Sequence, residues 1–193
     1  MIRIALCTFF SLLICLPAAA ASSKKVRLTT DYGDIIVVLY PERAPKNVAN
    51  FLAYVNSGFY DGSIFHRVLP NFMIQTGGYS WDFQKKATQP EVVNESIGGL
   101  KNHYATLAMA RTNDPDSADS QFFINVKSNP HLDAIDNNPG YTVFAKVIEG
   151  MNIVVMISRL PQGAHGSGFS NAPNEAVRIL KAEVIKPRIL IQY

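Results

Sequence analysis

Cysteine is almost absent from this chain of 193 residues. Its two cysteines, Cys7 and Cys15, both lie within the first 21 positions. Residues 22–193 therefore offer no thiol for a disulfide, a thiolate nucleophile or a cysteine zinc ligand. Disulfide scaffolds, thiol enzymes and cysteine-based zinc proteins are excluded for that part of the chain.

Metal and hydrolase signatures are missing as well. Neither H-x-x-x-H nor H-E-x-x-H spacing occurs among the four histidines, and we expect no metal site; they are His66, His103, His131 and His165. A hydrolytic triad could be formed by Ser120, His66 and an aspartate, but no G-x-S-x-G elbow accompanies them. Such a triad is a weak alternative, since any chain of this size contains these residue types.

Charge is low and balanced, with 18 basic and 15 acidic side chains and a net charge of +3. Removal of Arg3 with the first 21 residues would leave 17 basic side chains and a net charge of +2. Lysines occur at most in pairs, such as Lys24-Lys25, so we expect no nucleic-acid partner. With 48% hydrophobic residues, the chain suits one globular domain with a sizeable core.

The N-terminal residues 1–21 have the pattern of a secretory signal peptide. Arg3 precedes an apolar run over residues 4–16, and small residues follow at 18–21. The run is too short to span a bilayer comfortably, and no later run approaches the roughly 20 apolar residues of a membrane helix. We expect a domain at 22–193 that is exported, most simply to the periplasm, without a membrane anchor. A lipoprotein reading of Cys15 is the alternative, although lipoprotein processing prefers a small residue where Ile14 stands.

Strand patterns dominate the domain. A hairpin is predicted at the start, with strands at residues 26–30 and 35–40 around a turn at 31–34. Further strands are predicted at residues 64–69, 72–75, 106–110, 122–126, 142–148 and 177–185. Many strands with few helices favour a small barrel or sandwich over an alternating α/β sheet.

Two helices are predicted beside these strands. Pro45 suits a first helical turn, and apolar residues recur at helical spacing from Val48 until Asn56-Ser57-Gly58 ends the pattern. The spacing of Ile153, Val154 and Ile157 predicts the second helix. Residues 79–104 form the longest irregular stretch, and its length suggests a border of a functional site.

The most informative segment is F-H-R-V-L-P-N-F-M-I-Q-T-G-G at residues 65–78. Alternation along a strand places Phe65, Arg67 and Leu69 on one face, and a turn at Pro70-Asn71 returns Met73 and Gln75 to the same side. A guanidinium and an amide beside an apolar floor are suited to binding a substrate.

Two later segments share the order and spacing of a known family. S-Q-F-F-I begins at Ser120, and V-F-A-K-V-I-E-G-M begins at Val143. With residues 65–78, these motifs make the chain resemble the cyclophilin family of peptidyl-prolyl isomerases over Val26 to Val184. The bacterial periplasmic members are the most similar. The resemblance implies a mainly β fold: a closed eight-stranded antiparallel barrel capped by two α-helices.

The resemblance also implies residue roles. Arg67 would be the catalytic guanidinium. The proline pocket would consist of Phe72, Met73, Phe123 and Leu132, and the substrate backbone would be bound by Gln75, Ala110, Arg111, Thr112 and Gln121. Phe65 and His66 match the motif but are expected to be framework. Phe122 should face the core because it alternates with Phe123.

The chain departs from the family pattern at the pocket edge. Many members have Asn-Ala where this chain has Arg111-Thr112. His131 stands where many eukaryotic members have tryptophan, and Tyr141 where they have histidine, so cyclosporin binding is expected to be weak.

An isomerase needs no proton transfer, covalent intermediate or cofactor, and we expect none. Its substrates would be proline-containing, unfolded or partly folded exported polypeptides, and we expect a monomer. A module that binds such segments without isomerising them is the competing class. Arg67 argues against pure binding, which requires no donor aimed at a prolyl nitrogen.

Overall fold

A computed structural model describes residues 24–165 and 168–186 of the chain. The predicted signal peptide therefore lies outside the described residues. No helix in the described ranges has the length and apolar character needed to cross a membrane.

The fold is mainly β, with two α-helices. Helix α1 spans Pro45–Asn56 and α2 spans Met151–Ser158. The strands are β1 (Lys25–Thr30), β2 (Gly33–Leu39), β3 (Arg67–Leu69), β4 (Met73–Thr76), β5 (Thr106–Met109), β6 (Phe122–Asn125), β7 (Val143–Glu149), β8 (Gln162–Gly163), β9 (Ala172–Pro173) and β10 (Ile179–Ile185). The predicted hairpin, both helices and all the predicted strands are confirmed, with ends shifted by a few residues.

One eight-stranded antiparallel sheet carries the fold, in the order β10-β1-β2-β7-β5-β6-β4-β3. The prediction of a closed barrel is wrong, because β3 and β10 end the sheet without pairing and leave an open half-barrel. Across the gap, Ile64 and Arg178 form a single bridge. The three-residue β3 is too short to continue that contact, and its Val68 N–H donates instead to the Asn171 carbonyl at 2.8 Å.

The main core lies between the concave sheet and the helices. Phe51 of α1 is its centre, with ring centroids 5.0 Å from Phe144, 5.4 Å from Phe122 and 5.4 Å from Tyr60. All four rings are fully buried. Phe122 faces this core, as predicted from its alternation with Phe123.

Phe65 also belongs to this core and is 1% exposed, whereas Arg67 is exposed. The prediction that both share one face is therefore wrong. Regular strand geometry begins only at Arg67, so the strict alternation of side chains does not extend back to Phe65.

The irregular residues 79–104 support both helix and sheet. The Glu95 carboxylate accepts hydrogen bonds from the backbone N–H of Asn47 at 3.0 Å and of Lys46 at 3.2 Å, in the first turn of α1. It also accepts one from the Asn47 side chain at 2.7 Å. These bonds satisfy N–H groups that have no partner within the helix, and the negative charge suits a helix N-terminus.

Candidate functional site

The outer face of the sheet carries a second, smaller apolar cluster. Its buried members are Met73, Ala108, Phe123 and Val143, and packed against them are Leu69, Phe72, Leu100, Ala110, Leu132 and Tyr141. This outer cluster is built from the strands that also form the main core, because successive side chains of a strand point to opposite faces.

Arg67 stands at the rim of this outer cluster. Register pairs Arg67 with Gln75 across β3 and β4, and Gln75 with Phe123 across β4 and β6. Leu69 pairs with Met73 in the same ladder, so the predicted shared face of Arg67, Leu69, Met73 and Gln75 is confirmed. The turn between the strands places Asn71 at φ 57°, a left-handed conformation that asparagine tolerates.

A cavity of about 190 Å³ lies between Arg67 and the outer cluster. We call it the proline cavity, for the role proposed below. Its lining residues are Arg67, Phe72, Met73, Gln75, Ala110, Arg111, Phe123, Leu132 and Tyr141. The structure thus brings together nine of the twelve residues that the sequence singled out.

Three predicted residues do not line the proline cavity. His131 is exposed and stacks on Phe72 from outside, with ring centroids 5.6 Å apart. Thr112 is exposed, and its backbone N–H donates to the Ser117 hydroxyl at 2.9 Å. Gln121 lines a neighbouring cavity, and its side-chain oxygen accepts a hydrogen bond from Gln75 at 3.0 Å.

The two arginines of the cavity differ in how they are held. Within the described residues the Arg67 guanidinium has no hydrogen bond or ion pair. Arg111 donates to three backbone carbonyls: Gly140 at 3.2 Å, Pro139 at 3.1 Å and its neighbour Thr112 at 2.9 Å. Its guanidinium also lies 4.6 Å from the centre of the Tyr141 ring. Arg111 therefore holds a wall in place, whereas Arg67 is available to a ligand.

Sequence reasoning missed a set of buried polar groups behind the lining of the proline cavity. Asn102, Asn125 and Asn129, which we call the asparagine network, are each no more than 1% exposed. Asn125 donates to the side-chain oxygen of Asn102 at 3.2 Å and accepts from the Asn129 side chain at 2.7 Å. The amide of Asn125 ends the apolar run 122–124, and a polar group there needs buried partners; this was the available signal.

The asparagine network holds three walls of the proline cavity by their backbone carbonyls. Asn129 donates to the Phe72 carbonyl at 3.1 Å. Asn102 donates to the Leu132 carbonyl at 3.2 Å and to the Tyr141 carbonyl at 3.4 Å. Since each of these buried NH₂ groups donates to a partner, the cavity walls are fixed before any ligand arrives.

His66 precedes Arg67 and is 6% exposed. Burial lowers the pKa of His66 to about 4, so the imidazole is neutral at neutral pH. Its ring packs edge-on against Tyr79, with centroids 4.7 Å apart. In chemical terms the site has one unpaired cation beside an apolar cavity, and no side chain lining that cavity is a nucleophile or a carboxylate.

Comparison with known proteins places this arrangement in a family. Residues 25–184 match the family model described as "Cyclophilin type peptidyl-prolyl cis-trans isomerase/CLD". The chain is 48% identical over 183 residues to peptidyl-prolyl cis-trans isomerase A of Dickeya dadantii, covering 94% of this chain and 96% of that protein. It is 44% identical over 157 residues to peptidyl-prolyl cis-trans isomerase B of Escherichia coli, covering 80% and 95%.

Among solved structures, a cyclophilin-type peptidyl-prolyl cis-trans isomerase of Cryptosporidium parvum aligns with a TM-score of 0.69 at 28% identity. The alignment covers 86% of this chain and 99% of that one. A second structure of that protein was determined in the presence of the dipeptide Ala-Pro, with a TM-score of 0.68.

Proposed function

This chain belongs to the cyclophilin-type peptidyl-prolyl cis-trans isomerase family and is an enzyme of that class, and we propose that Arg67 is its catalytic residue. The observation that carries the proposal is the unpaired Arg67 guanidinium at the rim of the proline cavity. A proline ring in that apolar cavity would bring its nitrogen beside the guanidinium.

The chemistry requires a lower barrier rather than a new bond. Rotation about a peptide bond costs about 18 to 20 kcal/mol, because the nitrogen lone pair is shared with the carbonyl. In the twisted transition state the prolyl nitrogen becomes pyramidal and regains its lone pair. A fixed donor bonds that nitrogen in the transition state and scarcely at all in the planar ground state, which is the differential binding that catalysis needs.

Arginine suits the donor role because its guanidinium stays charged at all relevant pH values and presents rigidly arranged N–H groups. A charged hydrogen bond contributes about 1.5 to 3 kcal/mol. A millionfold acceleration would need about 8 kcal/mol. Clamping of the ring by Met73 and Phe123 and exclusion of water from the proline cavity must therefore supply the larger share.

The backbone beside the proline would be held by Gln75 and by the chain at 110–112. Arg111 would contribute by fixing the 139–141 segment, since each of its three guanidinium nitrogens already donates a hydrogen bond within the protein. Its side chain would then stabilise the cavity rather than contact the substrate directly.

The proposed substrates are proline-containing segments of exported polypeptides, whose folding the enzyme would assist. Support comes from the N-terminal signal pattern, which ends before the family match begins at residue 25. The related structure determined with Ala-Pro supports a substrate of that kind. N-terminal sequencing of the protein from its host should find residues 1–21 removed, and a retained Met1 would contradict export.

The first experiment compares the mature chain with Arg67→Ala in NMR exchange spectroscopy on a short Ala-Pro peptide. We expect turnover to fall at least tenfold, because one charged hydrogen bond is worth about 1.5 to 3 kcal/mol. The melting temperature should hardly change, since Arg67 is exposed. Arg159→Ala, which removes an exposed arginine after α2, is the matched control.

Each result has a distinct meaning. If Arg67→Ala has the same turnover as the wild-type chain, the isomerase activity stands and the proposed role of Arg67 is overturned. If the folded wild-type chain binds the peptide but produces no exchange, the binding-module alternative would replace isomerisation as its function.

A further inference from the structure

A second cavity of about 260 Å³ adjoins the proline cavity on the far side of Arg67. We call it the side pocket. Its lining residues are His66, Arg67, Gln75, Tyr79, Gln121, Gly168, Phe169, Ser170 and Asn171. Arg67 and Gln75 line both cavities, so a chain bound across these two side chains reaches both.

The side pocket has a chemical character opposite to that of the proline cavity. Its polar lining consists of neutral amides, hydroxyls and the neutral imidazole of His66, and Arg67 has the only formal charge. Three carboxamide side chains, those of Gln75, Gln121 and Asn171, belong to this lining. Each of them can both donate and accept a hydrogen bond.

The wall opposite Arg67 is aromatic and well packed. Tyr79 and Phe169 meet edge to face, with centroids 4.9 Å apart, and His66 contacts Tyr79. The hydrogen bond from Gln75 to Gln121 fixes the amide side of the pocket. The pocket is therefore preformed, as side-chain subsites commonly are.

The position of the proline ring decides which part of a substrate would enter. With the ring in the proline cavity and its nitrogen at Arg67, the preceding residue is bonded to that nitrogen and continues beyond Arg67. We propose that the side pocket binds the side chain of the residue before proline and prefers a neutral carboxamide, that of glutamine or asparagine. This inference rests on the proposed function.

A carboxamide matches the pocket because it both donates and accepts. Its NH₂ group would donate to the side-chain oxygen of Asn171, and its oxygen would accept from the NH₂ group of Gln121. A carboxylate would instead pair with Arg67 and draw the guanidinium away from the prolyl nitrogen. An apolar side chain would leave the amides of the pocket without these hydrogen bonds.

The test uses Ala-Xaa-Pro-Ala peptides in which Xaa is glutamine, norleucine, glutamate or alanine, with kcat and KM measured by NMR exchange. We expect kcat/KM for glutamine to exceed that for norleucine by roughly three- to tenfold, the range of one or two net hydrogen bonds. Glutamate should lower kcat more than it raises KM.

Substitutions in the side pocket test whether this pocket is the source of the preference for glutamine. Asn171→Ala removes one amide of the pocket, and Gln121→Leu replaces another by an apolar side chain of similar size; in both, the glutamine-to-norleucine ratio should fall toward one. Asn174→Ala, an exposed asparagine outside the side pocket, should keep the wild-type ratio. Tyr79→Phe removes only a hydroxyl from the lining and provides a further variant, with the same expected fall in the ratio, if Gln121→Leu does not fold.

Equal kcat/KM for glutamine and norleucine in the wild-type protein would overturn this inference while leaving the isomerase intact. A preference that survives in every pocket variant would also overturn it, because the side pocket would not be its source. Absence of turnover with all four peptides, including Ala-Ala-Pro-Ala, would instead contradict the proposed function.

Discussion

Four strands of the central sheet contribute side chains to both of its faces, yet the two faces differ in how completely they are packed. Neighbouring residues along each strand point to opposite faces: Ile74 and Met73, Leu107 and Ala108, Phe122 and Phe123, and Phe144 and Val143. The inner members form the main core beneath α1, and the outer members form the cluster beneath the proline cavity.

The difference lies in what covers each face. Helix α1 brings Phe51 onto the inner face, where aromatic rings surround it. Loop residues such as Leu100 and Leu132 cover the outer face and leave a cavity of about 190 Å³. The helix fills the space above the inner face, whereas the hydrogen-bonded loops over the outer face leave a cavity. In this protein the inner face supplies stability and the outer face supplies the site.

The difference between the two faces predicts that substitutions at Phe122 and Phe123 have the largest effects. Phe122→Ala should lower the free energy of unfolding by about 3 to 5 kcal/mol, because it empties a fully packed position. Phe123→Ala should cost less, since the proline cavity already borders its ring, but should abolish most turnover. Urea unfolding and peptide exchange measure the two quantities. Equal losses of stability, or full activity in Phe123→Ala, would contradict the division between the faces.

A second prediction concerns pH and His66 beside the outer face. Its pKa of about 4 in the folded protein lies below the unfolded value of about 6.5. The unfolded chain therefore binds a proton first, and stability is lost as pH falls from about 6.5 toward 4. We expect a loss of roughly 2 to 3 kcal/mol by pH 4.5, measured by urea unfolding against pH.

The matched variant isolates this contribution. His66→Phe keeps an aromatic ring and should remove most of the slope between pH 6.5 and 4.5, while the carboxylates continue to titrate in both proteins. An unchanged slope would show that His66 is not the group responsible.

The third prediction concerns the asparagine network, which replaces apolar packing as the support of the outer face. Asn125→Ala should lower the free energy of unfolding by about 1 to 3 kcal/mol, because Asn102 and Asn129 lose a buried partner. KM should rise as the carbonyls of Phe72 and Leu132 are held less firmly. Asn152→Ala on the exposed side of α2 is the control, and an unchanged KM in Asn125→Ala would remove the network's proposed role.

The smallest effect is expected at the cavity rim. His131 stacks on Phe72 from outside, and its small polar ring, with Tyr141 nearby, should give weak cyclosporin inhibition. His131→Trp extends the apolar wall and should increase sensitivity. Inhibition of peptide exchange measures this, and no gain in sensitivity would contradict the assignment of His131 as the limiting residue.

Much of the fold could be predicted because it follows from local patterns. The hairpin, both helices and the opposite directions of Phe122 and Phe123 follow from periodicities of two and 3.6 residues. Prediction failed at Phe65, where the chain was not yet a regular strand, and at the sheet edge, where three-residue β3 does not reach β10. Strand length and pairing are not properties of one segment.

By itself the sequence determined the strands and the shared face of Arg67, Met73 and Gln75, because alternation along a strand needs no distant partner. Its motifs determined the family, and the resemblance to that family implied the other side chains around Arg67. The tertiary structure alone decided which polar groups support them. Glu95 bonds the first turn of α1, Asn102 holds carbonyls about 30 and 39 residues away, and Phe169 joins His66 in the side pocket. Such contacts depend on chain-distant segments meeting, and a local pattern contains no information about where that happens.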